Sequence, residues 1–165
     1  MWRPCGRKGM KQLQFITQSF KETRDIGKRL AKFVKPGDII CLFGDLGSGK
    51  TTLVKGLASG LGAHEEDVTS PTFVFLNVYD QAKRTIFHFD LYRLEKEQEL
   101  FDIGYEEFFY GKGVSIIEWS ERLGPLLPKE RLDIYLEHTG EDVRDIRLKA
   151  VGRRYEQVLS AMRIT

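Results

Sequence analysis

The sequence predicts an α/β domain with a mixed central sheet flanked by helices, on three observations. A short apolar run, 38–43, passes through a glycine-rich turn into a helical pattern that ends near Leu61. Two further pairs of β-rich runs are each joined by a short polar link, which makes hairpins and rules out an all-parallel sheet. Helical stripes recur between the strands, the alternation that builds layered α/β folds.

Leu13–Thr17 is the first strand candidate. Ser19-x-x-Glu22 matches a capping box and heads a helix whose stripe is Ile26, Leu30, Phe33 and Val34. Pro36-Gly37 ends that helix and opens the buried strand Asp38–Phe43. The next eight residues, Gly44-Asp45-Leu46-Gly47-Ser48-Gly49-Lys50-Thr51, spell G-x-x-x-x-G-K-T. Behind them Leu53, Val54, Leu57, Ala58 and Leu61 recur at helical spacing, with Gly60 and Gly62 as stop signals. Strand, glycine loop and helix therefore come in the order a phosphate-binding loop requires. Its glycines let successive backbone N–H groups curl around a polyphosphate, and the helix N-terminus adds a favourable dipole. Lys50 can reach the terminal phosphates, and the Thr51 hydroxyl can hold Mg²⁺. The prediction is a single-domain P-loop NTPase over 11–165.

A polar link, 62–67, leads into Val68-Thr69-Ser70-Pro71-Thr72. Phe73–Tyr79 and Thr85–Leu91 then flank the turn 80–84 as a hairpin. Glu95–Phe109 is acidic and helical, with Gly104 expected to split it in two. Val114–Ile117 returns to strand and runs into Glu118 and Trp119, and Pro125 and Pro128 mark a loop. Leu132–Glu137 and Ile146–Val151 form a second antiparallel pair, and Arg153–Arg163 a closing helix.

Hydrophobic residues make up 41% and charged residues 30% of 165, the balance of a globular chain large enough for a core. The formal charge is +2, but Arg3, Arg7 and Lys8 lie in an acid-free opening decapeptide, so the remainder sits near −1 (+2 less three). No basic nucleic-acid surface is implied. Residues 1–10 lack periodicity and are expected to be a disordered tail. No run approaches the ~18 apolar residues of a membrane span. Cys5 and Cys41 are not expected to pair, and no C-x-x-C suggests a metal cage. These features point to the cytoplasm.

Hydrolysis or phosphoryl transfer needs an acid near Mg²⁺ and a group to orient the attacking atom. Two apolar strands end in such acids, Ile86–Asp90 and Val114–Glu118. The segment Thr69–Phe73 is either a switch that senses the terminal phosphate or a proline-stabilised strand entry. His88 faces opposite to Phe87 and Phe89, where a lone histidine is more often structural. Trp119 is either core or pocket wall. No Asn/Thr-Lys-x-Asp element is present to read guanine, which favours ATP. Arg144, Arg147, Arg153 and Arg154 are the nearest thing to the arginine-rich lid of a small-molecule kinase. A stand-alone kinase is therefore an alternative to an ATPase, and a non-hydrolysing nucleotide-dependent interaction module is another. Ser120 and Glu121 follow Glu118 and Trp119 with no glutamine-type water activator, so hydrolysis by the isolated chain is expected to be slow and raised by a partner.

Gly-Asp-Leu-Gly-Ser-Gly-Lys-Thr-Thr at 44–52, Ser-Pro-Thr-Phe at 70–73, His-Phe-Asp-Leu-Tyr-Arg at 88–93 and Ile-Glu-Trp at 117–119 together resemble the TsaE (YjeE) family. The resemblance runs in order from about Thr17 to Val151. It implies a small ATPase working with the TsaB and TsaD proteins in tRNA threonylcarbamoyladenosine formation. TsaD transfers the group to adenosine 37 of tRNA, so tRNA is contacted only indirectly, and ATP hydrolysis resets the complex between turnovers. On this resemblance Leu46, Gly47, Ser48, Gly49, Lys50, Thr51 and Thr52 cradle the phosphates. Thr51 and Glu118 hold Mg²⁺, and Asp90 serves the Mg²⁺ shell or the attacking water. Ser70, Pro71 and Thr72 form the γ-phosphate switch, while Phe20 and Arg144 border the base. Ser120 departs from the proline that often follows the tryptophan.

Overall fold

Runs of branched and aromatic residues broken by polar turns become seven strands of one sheet in the computed structural model, which describes residues 11–164. The expected tail, 1–10, lies outside the described residues. The strands are β1 (Gln12–Thr17), β2 (Ile39–Phe43), β3 (Leu76–Tyr79), β4 (Ile86–Asp90), β5 (Val114–Glu118), β6 (Arg131–His138) and β7 (Arg144–Val151). The helices are α1 (Phe20–Ala31), α2 (Lys50–Gly60), α3 (Glu97–Asp102), α4 (Tyr105–Phe109) and α5 (Arg153–Ile164). Strand order is β1-β7-β6-β2-β5-β4-β3. The four central strands β6, β2, β5 and β4 are parallel. The remaining three pair antiparallel, β1 with β7, β7 with β6, and β3 with β4. Both expected hairpins are present, and the sheet is mixed.

Period-two alternation assigns the layers. Ile40 and Leu42 face a core shared with Leu30 of α1, Leu53 and Leu57 of α2, and Leu159 of α5. Ile39 and Cys41 face the opposite core, with Leu100, Tyr105 and Phe109 of α3 and α4. A strand buried on both faces reads as one apolar run, as the central strand of a parallel set must. Cys41 lies fully inside, and burial pushes its thiol up to about 12. It is an inert core group.

Ser19 caps α1, its Oγ accepting the Glu22 N–H at 3.2 Å. Glu22 answers by accepting the Gln18 N–H at 2.6 Å, one residue earlier than the reciprocal bond of a capping box. Helices α1 and α2 cross closely, since a Cβ at Gly56 would stand 2.0 Å from the Arg24 carbonyl oxygen. That contact fixes the start of α1 beside the glycine loop. At the other end of the sheet, Arg154 of α5 grips Asp38 with Nε to Oδ1 at 3.0 Å and Nη2 to Oδ2 at 2.7 Å.

Two expectations need correction. The strand expected over 73–79 begins only at Leu76, because Pro71 O accepts both the Val74 and Phe75 N–H groups in a tight turn. Phe75 then takes a left-handed backbone, φ 64°, uncommon for a bulky residue. The second strand of the later hairpin starts at Arg144 rather than Ile146, because Arg144 and His138 close the β6–β7 ladder. Gly104, at φ 68°, separates α3 from α4 as its position suggested.

Candidate functional site

The C-terminal ends of the parallel strands converge, the usual place for a site in an α/β sheet. β2 runs into the glycine loop, and Gly49 turns the chain into α2 at φ 102°, a conformation a side chain would strain. Glu118, at the end of β5, lies across from Leu42 of β2 and from Asp90 of β4. Pairing alone thus brings both candidate acids to the mouth of the loop. The resulting cleft, about 500 Å³, is lined by Leu46, Gly47, Gly49, Lys50, Thr51 and Thr52 from the loop and α2. Ser70, Thr72, Asp90, Tyr92, Glu118 and Trp119 line it as well, together with Phe20 and Arg144. Ser48 is buried beneath the loop, 3.4 Å from Lys50 Nζ.

Lys50 folds over the loop, donating to Gly44 O at 2.5 Å and Asp45 O at 2.9 Å. Its ammonium also lies 4.0 Å from the Trp119 ring centroid, a cation–π contact. Burial pushes the Lys50 pKa down, opposed by the carboxylates of Glu118, Glu121, Asp90 and Asp45. Trp119 is therefore a wall of the cleft, held there by a left-handed backbone at φ 59°.

The two acids are equally hidden, Asp90 at 3% and Glu118 at 2% exposure. Asp90 accepts from Thr72 Oγ1 at 3.0 Å and the Tyr92 N–H at 2.9 Å, with Ser70 Oγ bonded to the same Oδ2 as Thr72. The Asp90 N–H also donates to Phe75 O, so the segment after Ser70 is moored to Asp90 at both ends. Glu118 receives the Thr51 hydroxyl on Oε2 at 3.0 Å and faces His88 Nε2 through Oε1 at 2.7 Å.

Arg144, buried at 5%, reaches the loop through Gly47 O at 3.3 Å and lies 5.6 Å from the Phe20 ring. Of the four arginines weighed as a kinase lid, Arg144 alone lines the cleft. Arg154 is committed to Asp38, and Arg147 to Glu137 at 3.2 Å. A kinase lid is not assembled from them.

Sequence reasoning did not single out Tyr92, whose ring centroid is 5.0 Å from that of Trp119. It also took His88 as structural, although alternation already placed His88 on the face of Asp90. Thr51, Glu118 and Asp90 offer hard oxygen donors, although among the described residues no group of three or more His, Cys, Asp or Glu side chains forms a metal cage, here or elsewhere. Such a set fits a small divalent cation shared with phosphate oxygens, which keeps much of its water and needs few protein ligands. Two carboxylates buried side by side are costly to keep charged, and a bound cation would offset that cost.

The family model described as "Threonylcarbamoyl adenosine biosynthesis protein TsaE" matches residues 17–146. The chain is similar to the tRNA threonylcarbamoyladenosine biosynthesis protein TsaE of Bacillus subtilis, with 46% identity over 149 residues, 90% of this chain and 92% of that protein. The protein of the same name from Treponema pallidum is 40% identical over 134 residues, 81% and 98% of the two chains. Among solved structures, the crystal structure of Bacillus subtilis YdiB superposes with a TM-score of 0.79 at 37% identity, covering 96% of this chain and 98% of that one. The shared region includes the loop, both acids and the segment between them.

Proposed function

The chain belongs to the TsaE family, and on that premise we propose that it is the ATP-hydrolysing subunit in the formation of N6-threonylcarbamoyladenosine in tRNA. The observation that carries this reading is the meeting of Lys50, Thr51, Asp90 and Glu118 in one cleft at the glycine loop. Backbone N–H groups of Leu46–Thr51 wrap the phosphates, Thr52 extends the same helix start, and the Lys50 ammonium leaves its loop carbonyls to bridge phosphate oxygens. Thr51 and Glu118 would hold Mg²⁺, which would supply charge neutralisation for the transferred phosphoryl group. Asp90 orients the attacking water. Ser70 and Thr72, now bonded to Asp90, sense the γ-phosphate. Phe20 and Arg144 border the base, and the absence of a guanine-reading element favours adenine.

Ser120 and Glu121, rather than a glutamine-type water activator, follow Glu118 and Trp119, so Asp90 acts without a second positioning group until a partner supplies one, and hydrolysis by the chain alone is slow. The partners proposed are TsaB and TsaD, in the cytoplasm, with tRNA contacted through the complex. No helix among the described residues is long and apolar enough to cross a membrane. The test is reconstitution of the modification on tRNA from TsaB, TsaD and this chain with Mg-ATP. Repeated turnover is expected with the wild-type chain and only the first round with Lys50→Ala. Repeated turnover in the absence of the chain would refute the role.

A further inference from the structure

The two oxygens of Glu118 are held by different groups. Oε2 accepts the Thr51 hydroxyl at 3.0 Å, on the side of the cleft. Oε1 faces the core, where His88 Nε2 lies 2.7 Å away. His88 is 0% exposed on β4, packed beside Tyr79 with ring centroids 6.3 Å apart and paired across the sheet with Ile116. Its Nδ1 is buried and finds no hydrogen-bond partner among the described residues. Glu118 is thus the one polar group the ring engages. A carboxylate can only accept, so Nε2 carries the proton and donates to Oε1. A leucine would fill this apolar site without leaving a buried nitrogen unpaired, and a polar group kept at such a cost calls for a role.

We propose that His88 is a positioning residue for the cation-binding oxygen of Glu118. The Nε2–H tether fixes Oε1 and thereby keeps Oε2 turned to Thr51, the hydroxyl that shares the cation. A carboxylate tied at one oxygen presents the other in a single orientation, whereas a free one must be ordered when the cation arrives. His88 touches neither phosphate nor water in this role; it acts through Glu118. The inference rests on the Mg-nucleotide reading given above.

The test compares the full chain with His88→Leu, which fills the site but donates nothing, and His88→Gln, whose amide can donate from near the Nε2 position. Fluorescently labelled ADP binding is followed while Mg²⁺ is titrated, and again in EDTA. His88→Leu is expected to raise the half-saturating Mg²⁺ concentration about 10–100-fold, the usual effect of removing a group that orients a metal ligand. Its metal-free ADP affinity should stay near wild type, and His88→Gln should recover most of the Mg²⁺ response. If His88→Leu does not fold, His88→Asn takes its place, because its amide ends short of Oε1. In a Glu118→Ala background, His88→Leu should add nothing to the Mg²⁺ dependence. A wild-type chain indifferent to Mg²⁺ overturns the cation reading and this inference with it. A Mg²⁺-dependent wild type matched by the Leu or Asn variant, or a Gln variant as impaired as Leu, overturns the role of His88 alone.

Discussion

Thr51, in the first turn of α2, donates its hydroxyl to Glu118 Oε2 at the end of β5, 3.0 Å away. One hydrogen bond thus ties the phosphate loop to the neighbouring strand, at the point where a cation shared by both side chains would bind. Glu118→Ala is expected to weaken Mg²⁺-dependent ADP binding and hydrolysis together. Asp90→Asn should lower hydrolysis more than ADP binding, since Asp90 is held by Ser70, Thr72 and Tyr92 rather than by the loop. Titrating Mg²⁺ at fixed nucleotide separates them; a raised half-saturation in Asp90→Asn alone reverses the roles.

Lys50 supplies a pH dependence whose sign can be worked out. Burial lowers its pKa from 10.5, so in the free cleft the ammonium loses its proton at lower pH than an ordinary lysine. Phosphate binds the charged form and raises that pKa. Between the two values, ADP binding must therefore take up a proton, and affinity must fall as pH rises through the window. Calorimetry at alkaline pH within that window, in buffers of different ionisation enthalpy, should show net uptake. Lys50→Arg, which stays charged, should show none; equal uptake in both places the proton elsewhere.

Trp119 stands 4.0 Å from the Lys50 ammonium. Moving that cation onto phosphate removes a charge from the indole face, so Mg-nucleotide should change Trp119 emission. Trp2→Phe removes the second tryptophan from the signal. Emission of that variant that ignores saturating nucleotide would mean that Lys50 does not leave the ring.

Asp38 is buried and bound by Arg154 through two bonds, with a third from the Lys35 N–H at 2.8 Å. Asp38→Ala leaves the guanidinium and that N–H without their partner and should cost about 3 kcal/mol of stability. Urea unfolding measures the loss. ADP affinity of the folded variant should not change, because the pair lies at the start of β2, away from the cleft. A drop in affinity at unchanged stability would point to a nucleotide role for this pair.

What the chain discloses locally was legible. The loop at 44–51 is encoded by spacing, and the acids ending Ile86–Asp90 and Val114–Glu118 by the end of an apolar run. Their adjacency was not legible, because the Asp90–Glu118 register arises from pairing between strands nearly thirty residues apart. For the same reason His88 read as a lone histidine: its partner is set by strand order, which alternation cannot supply. The late start of β3 was not legible because Phe73 and Val74, 76% and 62% exposed, look like strand in sequence but sit on a turn before it. Arg154 resembled part of a kinase lid in sequence, because its pairing with Asp38 joins residues 116 positions apart.

Phosphate release from Mg-ATP, measured for the chain alone, with TsaB and TsaD added, and for Lys50→Ala in both conditions, bears most directly on a partner-driven ATPase. Slow release alone, a clear rise on adding the pair, and loss of both in Lys50→Ala are expected. Turnover unchanged by the pair, or equal in Lys50→Ala and wild type, would contradict it.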